Sequence, residues 1–246
     1  MLDRLIGGNW KRLWIILVIT LVPPGVAAQD LEAKLRQRAD FTPVAGSVRE
    51  QLVQVAKHYN IPMGIEWVLQ SQEKQVKLVP GEASTVMALL QLILQAAPEY
   101  SMTTRNGVVN VSYSRYAVDS RNFLNLRIGE FKLINANVFD AAAELRLKIR
   151  KTLHPERYVG GTVGGYGYGI PDENGLDIQN ISFSGKDLSV RDTLDRIVSS
   201  NGNTLWLVNI APSRMMKDEP FFAQFDANQE RDFFWTIIPF NKSTQK

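Results

Sequence analysis

The sequence predicts an α/β (α+β) fold of two small modules, each with two helices packed on small β-sheets, after an N-terminal signal peptide. Three observations support this prediction. The composition, 45% hydrophobic and 22% charged over 246 residues, is that of a globular protein long enough for two small cores. Strand and helix patterns alternate along the chain, and the same order of elements occurs twice.

The first 28 residues are typical of a secretory signal peptide. Basic residues precede an unbroken apolar run of ten residues over 13–22, and Pro23-Pro24-Gly25 then ends any helix. The small side chains of Val26-Ala27-Ala28 suit signal peptidase, so we predict cleavage after Ala28. Because ten helical residues reach only about half of a ~30 Å hydrocarbon core, no stable membrane span is expected after cleavage. We expect an exported chain, free in the periplasm or associated with the outer membrane.

Charge and cysteine content exclude several classes of function. The whole chain has 28 basic and 25 acidic residues, and removing residues 1–28 takes away three basic residues and one acid, which leaves a net charge of +1. A nearly neutral exported protein gives no electrostatic reason to expect nucleic acid as a partner. Because the sequence has no cysteine, disulfides, thiolate zinc sites, iron–sulfur clusters and a lipidated cysteine are excluded.

Residues 29–46 form a lead-in to the first predicted module, which covers residues 47–114. Ser47 and Glu50 have the spacing of a capping box, in which each side chain bonds the other residue's backbone N–H. They predict the start of an amphipathic helix that ends near Tyr59.

The rest of the first module reads as two strands, a helix and a hairpin. Strands are predicted over 63–68 and 75–80 from their apolar and alternating patterns. Thr85 is a candidate cap for a second helix, and Asn106-Gly107 predicts the tight turn of a hairpin because both residues tolerate positive φ. The apolar stripe of that helix comprises Val86, Leu89, Leu90, Ile93 and Leu94.

A linker over 115–122 leads to the second predicted module, residues 123–211. Its expected elements are strand material over 123–136, a helix over 138–153 capped by Asn137, a strand over 178–183, a helix from Ser189 to Asn201 and a strand over 204–210. Six of the ten residues in 160–169 are glycine, which predicts a flexible loop inserted in this module.

A C-terminal tail rich in aromatic residues covers 212–246. Its apolar segment from Phe233 to Ile238 has two interpretations: it completes the second sheet, or it docks on a partner protein. Both stay open at the level of sequence.

An internal repeat relates the two modules. At a constant offset of 104 residues, the segment that begins at Gly81 and the segment that begins at Gly185 share a turn glycine, a hydroxyl cap, a valine, a leucine and an isoleucine. Leu90 then corresponds to Leu194. This register predicts that one supersecondary unit has been duplicated.

The residues of the first copy resemble a known family. The segment Val76–Leu90, followed by Tyr100-Ser101-Met102 and Gly107–Val111, is similar to the secretin and TonB short N-terminal domain. The resemblance covers the first module well and the second mainly around 185–208. It implies small periplasmic α/β modules of two helices on small sheets, found ahead of outer-membrane secretins and some TonB-dependent receptors. The motif of that family holds fold residues, so no catalytic residue is implied.

The residues for metal or nucleophilic chemistry lack the required spacing. The two histidines, His58 and His154, stand 96 residues apart and outside any ligand motif, so no metal site is predicted. Ser182 and Ser184 lie in no nucleophile motif and are expected to point outward from a strand. We predict no catalytic residue and no cofactor.

Two further features are candidate sites. Asp192 and Asp195 are a carboxylate pair at helical spacing, which favours a solvated helix face over acid–base chemistry. Tyr166 and Tyr168, in the glycine-rich loop, are the candidate contacts to a partner or ligand.

Two hypotheses of function follow. The first is a non-enzymatic envelope adaptor or scaffold that binds other proteins of a secretion, pilus or TonB-type system through exposed sheet edges. The alternative is a periplasmic module that binds a small molecule or glycan with the Gly/Tyr loop.

Overall fold

A computed structural model describes residues 26–68, 74–119, 122–153, 155, 178–210 and 233–240. The helices are α1 (Val26–Arg36), α2 (Val48–His58), α3 (Val86–Leu94), α4 (Val138–Leu153) and α5 (Val190–Asn201), and a 3₁₀ turn covers Phe123–Asn125. The strands are β1 (Gly46–Ser47), β2 (Met63–Val68), β3 (Gln75–Val76), β4 (Tyr100–Arg105), β5 (Val108–Tyr113), β6 (Phe131–Ala136), β7 (Ile181–Gly185), β8 (Thr204–Ile210) and β9 (Phe233–Pro239). The predicted α/β class is confirmed.

One five-stranded sheet unites strands from both predicted modules. Its order is β4-β5-β2-β8-β9, in which β5, β2 and β8 run parallel while β4 and β9 are antiparallel to their neighbours. The first half of the chain (residues 26–119) supplies three of these strands and the second half (122–240) supplies two. Two-stranded sheets β1-β3 and β6-β7 complete the described strands. The strand that begins at Phe233 therefore completes the sheet beside β8.

The helices of each half cover one face of this central sheet. The face toward α2 and α3 is the core of the first half, and the face toward α4 and α5 is the core of the second. Because successive side chains of a strand point to opposite faces, the three inner strands, β5, β2 and β8, each contribute side chains to both cores. In β2, Met63 and Ile65 pack in the first core, whereas Val68 packs in the second.

Local signals in the first half produce the predicted elements. Ser47 and Glu50 form the capping box of α2, and the Thr85 hydroxyl accepts a hydrogen bond from the Ala88 N–H at the start of α3. All five stripe residues of α3 are buried. The hairpin turns at Asn106 and Gly107, with φ of 54° and 75°. The strand predicted over 75–80 is shorter than expected and ends at Val76.

The second half also follows its local signals. The Asn137 side chain accepts hydrogen bonds from the first backbone N–H groups of α4, and Ser189 forms a capping box with Asp192. Gly202 ends α5 with a φ of 78°. Ser182 and Ser184 lie outward on β7, as expected. The predicted strand material over 123–136 divides into the 3₁₀ turn and β6.

Two segments contribute more to the interior than the sequence indicates. The lead-in contains α1, which packs Leu31 and Leu35 into the first core, one helical turn apart. The predicted cleavage point after Ala28 falls in the first turn of α1. The segment predicted as a linker, 115–122, buries Tyr116 and Asn122.

The second helices of the two halves have matching surroundings. Leu90 on α3 and Leu194 on α5 are both fully buried between helix and central sheet. An isolated antiparallel bridge joins the cap of each helix to an arginine before it, Arg38 to Thr85 and Arg127 to Ser189. The bridging hydrogen bonds are Ala39 N–H to Ser84 C=O and Val86 N–H to Gln37 C=O in the first half, and Ile128 N–H to Leu188 C=O and Val190 N–H to Leu126 C=O in the second.

Candidate functional site

Buried polar side chains line the contact between α5 and the central sheet. We call this cluster the polar seam. It comprises Glu66 on β2, Arg105 on β4, Asn110 and Ser112 on β5, Asn122 just before the 3₁₀ turn, Arg191, Asp192 and Asp195 on α5, and Trp206 on β8. Nearly every bond in it joins residues that are far apart in sequence and belong to different halves.

The centre of the polar seam is an ion pair between β2 and α5. Arg191 Nη2 lies 2.6 Å from Glu66 Oε2, with side chains 9% and 0% exposed. Arg191 Nη1 also donates to the Ser112 hydroxyl at 3.2 Å, and Asn122 Nδ2 donates to Glu66 Oε1 at 2.7 Å. A buried charge is tolerated when it is paired and its remaining hydrogen-bonding capacity is used, and both conditions are met here.

Asp195 forms the second acidic position of the polar seam. Its Oδ1 accepts from Trp206 Nε1 at 2.9 Å, and its Oδ2 accepts from Arg105 Nη2 at 3.0 Å and Asn110 Nδ2 at 3.2 Å. The prediction of a solvated face for the pair Asp192 and Asp195 is therefore wrong for Asp195, whose side chain is 0% exposed. The reason is that β5 and β8 lie against this side of α5, which helical spacing alone does not reveal.

Arg105 links the polar seam to the solvent-exposed rim. Its guanidinium bonds Asp195 and also lies 3.1 Å from Asp192 Oδ1, while its side chain stays 44% exposed. This geometry ties the end of β4, in the first half, to the first two turns of α5, in the second.

The pKa values of these acids shift in opposite directions. Burial raises the pKa of Glu66 against the opposing effect of Arg191, and burial raises the pKa of Asp195 against the bonds from Trp206 and Arg105. At Asp192 burial also acts upward, but the Ser189 hydroxyl and Arg105 outweigh it and lower the pKa. Burial thus favours the neutral forms of Glu66 and Asp195, whereas Asp192 at the rim is stabilised as an anion.

Buried acids with perturbed pKa values are often catalytic, so the accessibility of Glu66 and Asp195 is relevant to their role. The side chains of Glu66 and Asp195 are fully enclosed and engaged by donors from the opposite half. A substrate does not reach them in this conformation. Among the described residues, no group of three or more His, Cys, Asp or Glu side chains is placed to hold a metal ion.

An exposed strand edge is the second candidate site. Within the described part of the chain, β4 pairs only with β5, so its other side has no strand partner there. Ser101, Thr103, Thr104 and Arg105 are exposed along it, and Met102 is half-buried. We call this the β4 edge. Its backbone groups are available for strand addition.

A groove of about 200 Å³ lies on the first half, between the segments 39–42 and 78–83 and beside Leu89 of α3. Next to it the Tyr59 hydroxyl donates to Asp40 Oδ1 at 2.9 Å, and this bond lowers the pKa of Asp40. Its lining includes two carboxylates, Asp40 and Glu82, beside apolar residues such as Leu78 and Leu89.

Only some of the candidate residues from the sequence lie in the described part of the chain. His58 lies at the end of α2, partly exposed, and stacks on Phe41 with ring centroids 4.1 Å apart. Tyr166, Tyr168 and His154 lie outside the described residues, so the hypothesis of a ligand-binding Gly/Tyr loop stays a prediction.

The polar seam was missed at the level of sequence, although one signal for it exists. Glu66 interrupts an otherwise uncharged strand, Met63–Val68, and a single acid inside such a strand requires a buried partner. Nothing local identifies Arg191 as that partner, because the two residues are 125 positions apart.

No protein-family model, no curated protein and no solved structure matches this chain. In the described residues, none of the helices is both long and apolar enough to cross a bilayer. What the protein does is therefore inferred from its own residues.

Proposed function

We propose that this protein is an exported, non-enzymatic adaptor or scaffold of the cell envelope. Its two modules resemble the secretin and TonB short N-terminal domain, and its partners are other proteins of a secretion, pilus or TonB-type system. Two helices lie against each face of the shared central sheet, α2 and α3 on one and α4 and α5 on the other, and these helix pairs support the proposal although the sheet is not divided between the modules. The carboxylates that burial perturbs hold the two halves together, which supports a framework role.

The β4 edge is the observation that carries this proposal. Natural sheets protect exposed edges with lysine, proline, bulges or very short strands. The described two-stranded sheets show such protection: β1 and β3 have two residues each, and β6-β7 has an irregular register and an exposed Lys132. By contrast β4 has six residues in unbroken register with β5 and contains neither lysine nor proline. An unprotected regular edge suits strand addition by a partner.

The test compares an edge variant with a matched surface variant. Thr104→Lys places a charge on the β4 edge, whereas Ser184→Lys places the same charge on an exposed position of β7. Each variant and the natural protein are exported and purified from envelope extracts, and thermal melting verifies that both variants fold. We expect a defined envelope protein to co-purify with the natural protein and with Ser184→Lys, but not with Thr104→Lys. Retention of the partner by Thr104→Lys, or the lack of any envelope partner, would contradict the proposal.

A further inference from the structure

The backbone groups that β4 directs outward follow from its hairpin. Asn106 and Gly107 both have positive φ, which defines a two-residue turn whose flanking residues, Arg105 and Val108, form a hydrogen-bonded pair. Pairs alternate along an antiparallel ladder, so Thr103 and Ser101 also direct their N–H and C=O groups toward β5. The groups of Met102 and Thr104 therefore point away from the sheet.

These outward groups are symmetric about Thr103. Met102 and Thr104 lie one residue before it and one residue after it, and the next outward candidate, Tyr100, already donates its N–H to the Ala97 C=O at 3.0 Å. An antiparallel copy of β4 placed with Thr103 opposite Thr103 brings Met102 of each copy opposite Thr104 of the other. In this register Met102 and Thr104 of both strands form main-chain hydrogen bonds. A shift of the register by two residues would leave one of these two residues in each strand without an outward-facing partner on the other copy.

The side chains of β4 are compatible with the same register. Arg105 falls opposite Ser101 of the second copy, and hydroxyl side chains face each other at Thr103, a favourable cross-strand pair. Arg105 is the one charged side chain of β4, and it is bound within its own chain to Asp192 and Asp195. No like charges meet across the edge.

We infer that a second copy of this chain occupies the β4 edge, by antiparallel pairing of β4 with β4 about a two-fold axis at Thr103. This inference rests on the proposed function, because it names an occupant of the same edge. The pairing joins two central sheets into one and protects the edge until the strand of another envelope protein replaces the second copy. It needs no change in the fold of either chain.

The absence of cysteine makes a direct test possible. Residues opposite each other in a non-hydrogen-bonded antiparallel pair have Cα atoms about 4.5 Å apart, within the range that a disulfide spans. Thr103→Cys is therefore expected to form a disulfide-linked dimer under mild oxidation. The matched control is Ser101→Cys, on the same strand and face, where the two cysteines would be about 14 Å apart, four residues along the strand at ~3.4 Å per residue.

The solution measurement is the mass of the purified exported protein by sedimentation. We expect a dimer for the natural protein and for Ser184→Lys, a shift to monomer for Thr104→Lys, and crosslinking for Thr103→Cys that far exceeds that of Ser101→Cys. A monomeric natural protein, equal crosslinking of both cysteine variants, or a dimer that survives Thr104→Lys would overturn the inference. If the protein is a monomer and Thr104→Lys still loses its envelope partner, the inference fails while the proposed function stands.

Discussion

The two faces of the central sheet are held by different chemistry. Toward α2 and α3 the strands present apolar side chains such as Ile65 and Val111, and the helices come from the same half of the chain. Toward α5 the same strands present Glu66 and Asn110, whose partners come from the opposite half. Apolar side chains of both halves pack on each face, but the face toward α5 adds a cluster of buried directional bonds between the halves.

This difference explains what each face contributes. Burial of apolar surface is non-directional and stabilises many related packings. A buried ion pair contributes little net stability relative to an apolar pair, but it penalises any register in which its charges are unmatched. The polar seam joins β2 and β8 to the same helix, because Arg191 of α5 binds Glu66 and Asp195 of α5 binds Trp206. Between these strands Gly64 lies opposite Trp206, where a Cβ on Gly64 would lie 2.3 Å from the indole ring.

The largest expected effect comes from removing one charge of the polar seam. Arg191→Met leaves Glu66 buried without its counter-ion, and we expect the free energy of unfolding to fall by about 3–5 kcal/mol. The measurement is urea denaturation of the purified protein. On the other face, Arg49 is partly exposed and donates to Asn209 Oδ1 at 2.8 Å. Arg49→Met is therefore the matched control, with a smaller expected loss, because water reaches the groups that it leaves behind.

The double variant Glu66→Leu with Arg191→Met sharpens this result. Because neither charge then remains, it is expected to recover most of the stability lost in the single variant. Equal losses in Arg191→Met and Arg49→Met would show that the two faces do not differ in the way described.

Leucine truncations test the equivalence of the two cores. Leu90→Ala and Leu194→Ala each remove a fully buried side chain from the second helix of a half, and each is expected to cost about 2–5 kcal/mol. Denaturation curves of the two variants should show similar losses. A loss confined to one of them would mean that the two helices have different structural roles.

Sequence reasoning succeeded where the signal is local. The caps at Ser47, Thr85 and Ser189 and the turn at Asn106-Gly107 depend on residues within four positions, and the structure contains each of them. It failed at Asp195, because the burial of that side chain depends on strands that other parts of the chain supply. The parallel pairing of β2 with β8 is a long-range contact of the same kind, and no local pattern encodes it.

Removal of the two corresponding helix caps should have small and equal effects. Thr85→Ala and Ser189→Ala each leave a first-turn N–H without its side-chain acceptor, for an expected loss of about 1 kcal/mol. Thermal melting of both variants checks this value. A much larger loss for Ser189→Ala would indicate that the bond from the Ser189 hydroxyl to Asp192 also supports the contact between Asp192 and Arg105.

The pH dependence of stability tests the raised pKa of Asp195. Burial raises the pKa of Asp195 above 3.8 in the folded state, so the folded protein holds this proton more tightly than the unfolded chain does. The stability that this proton contributes is fully present below pH 3.8 and is lost as the pH rises through the folded-state pKa. Relative to Asp195→Asn, which does not titrate, the natural protein should therefore lose stability as the pH rises from below 3.8 toward neutrality. Urea denaturation of both proteins over this pH range measures their free energies of unfolding. A natural protein that gains stability relative to Asp195→Asn as the pH rises would contradict the assigned direction of the pKa shift.

Because both halves contribute strands to one sheet, we expect them to fold as one body. Native-state hydrogen exchange on the processed, purified protein measures this strand by strand. We predict that the backbone amides of β2 and β8 are released with the same free energy, equal to that of global unfolding. Exchange of β8 at a clearly lower free energy than β2, with β2 still protected, would show two independent modules and contradict the claim.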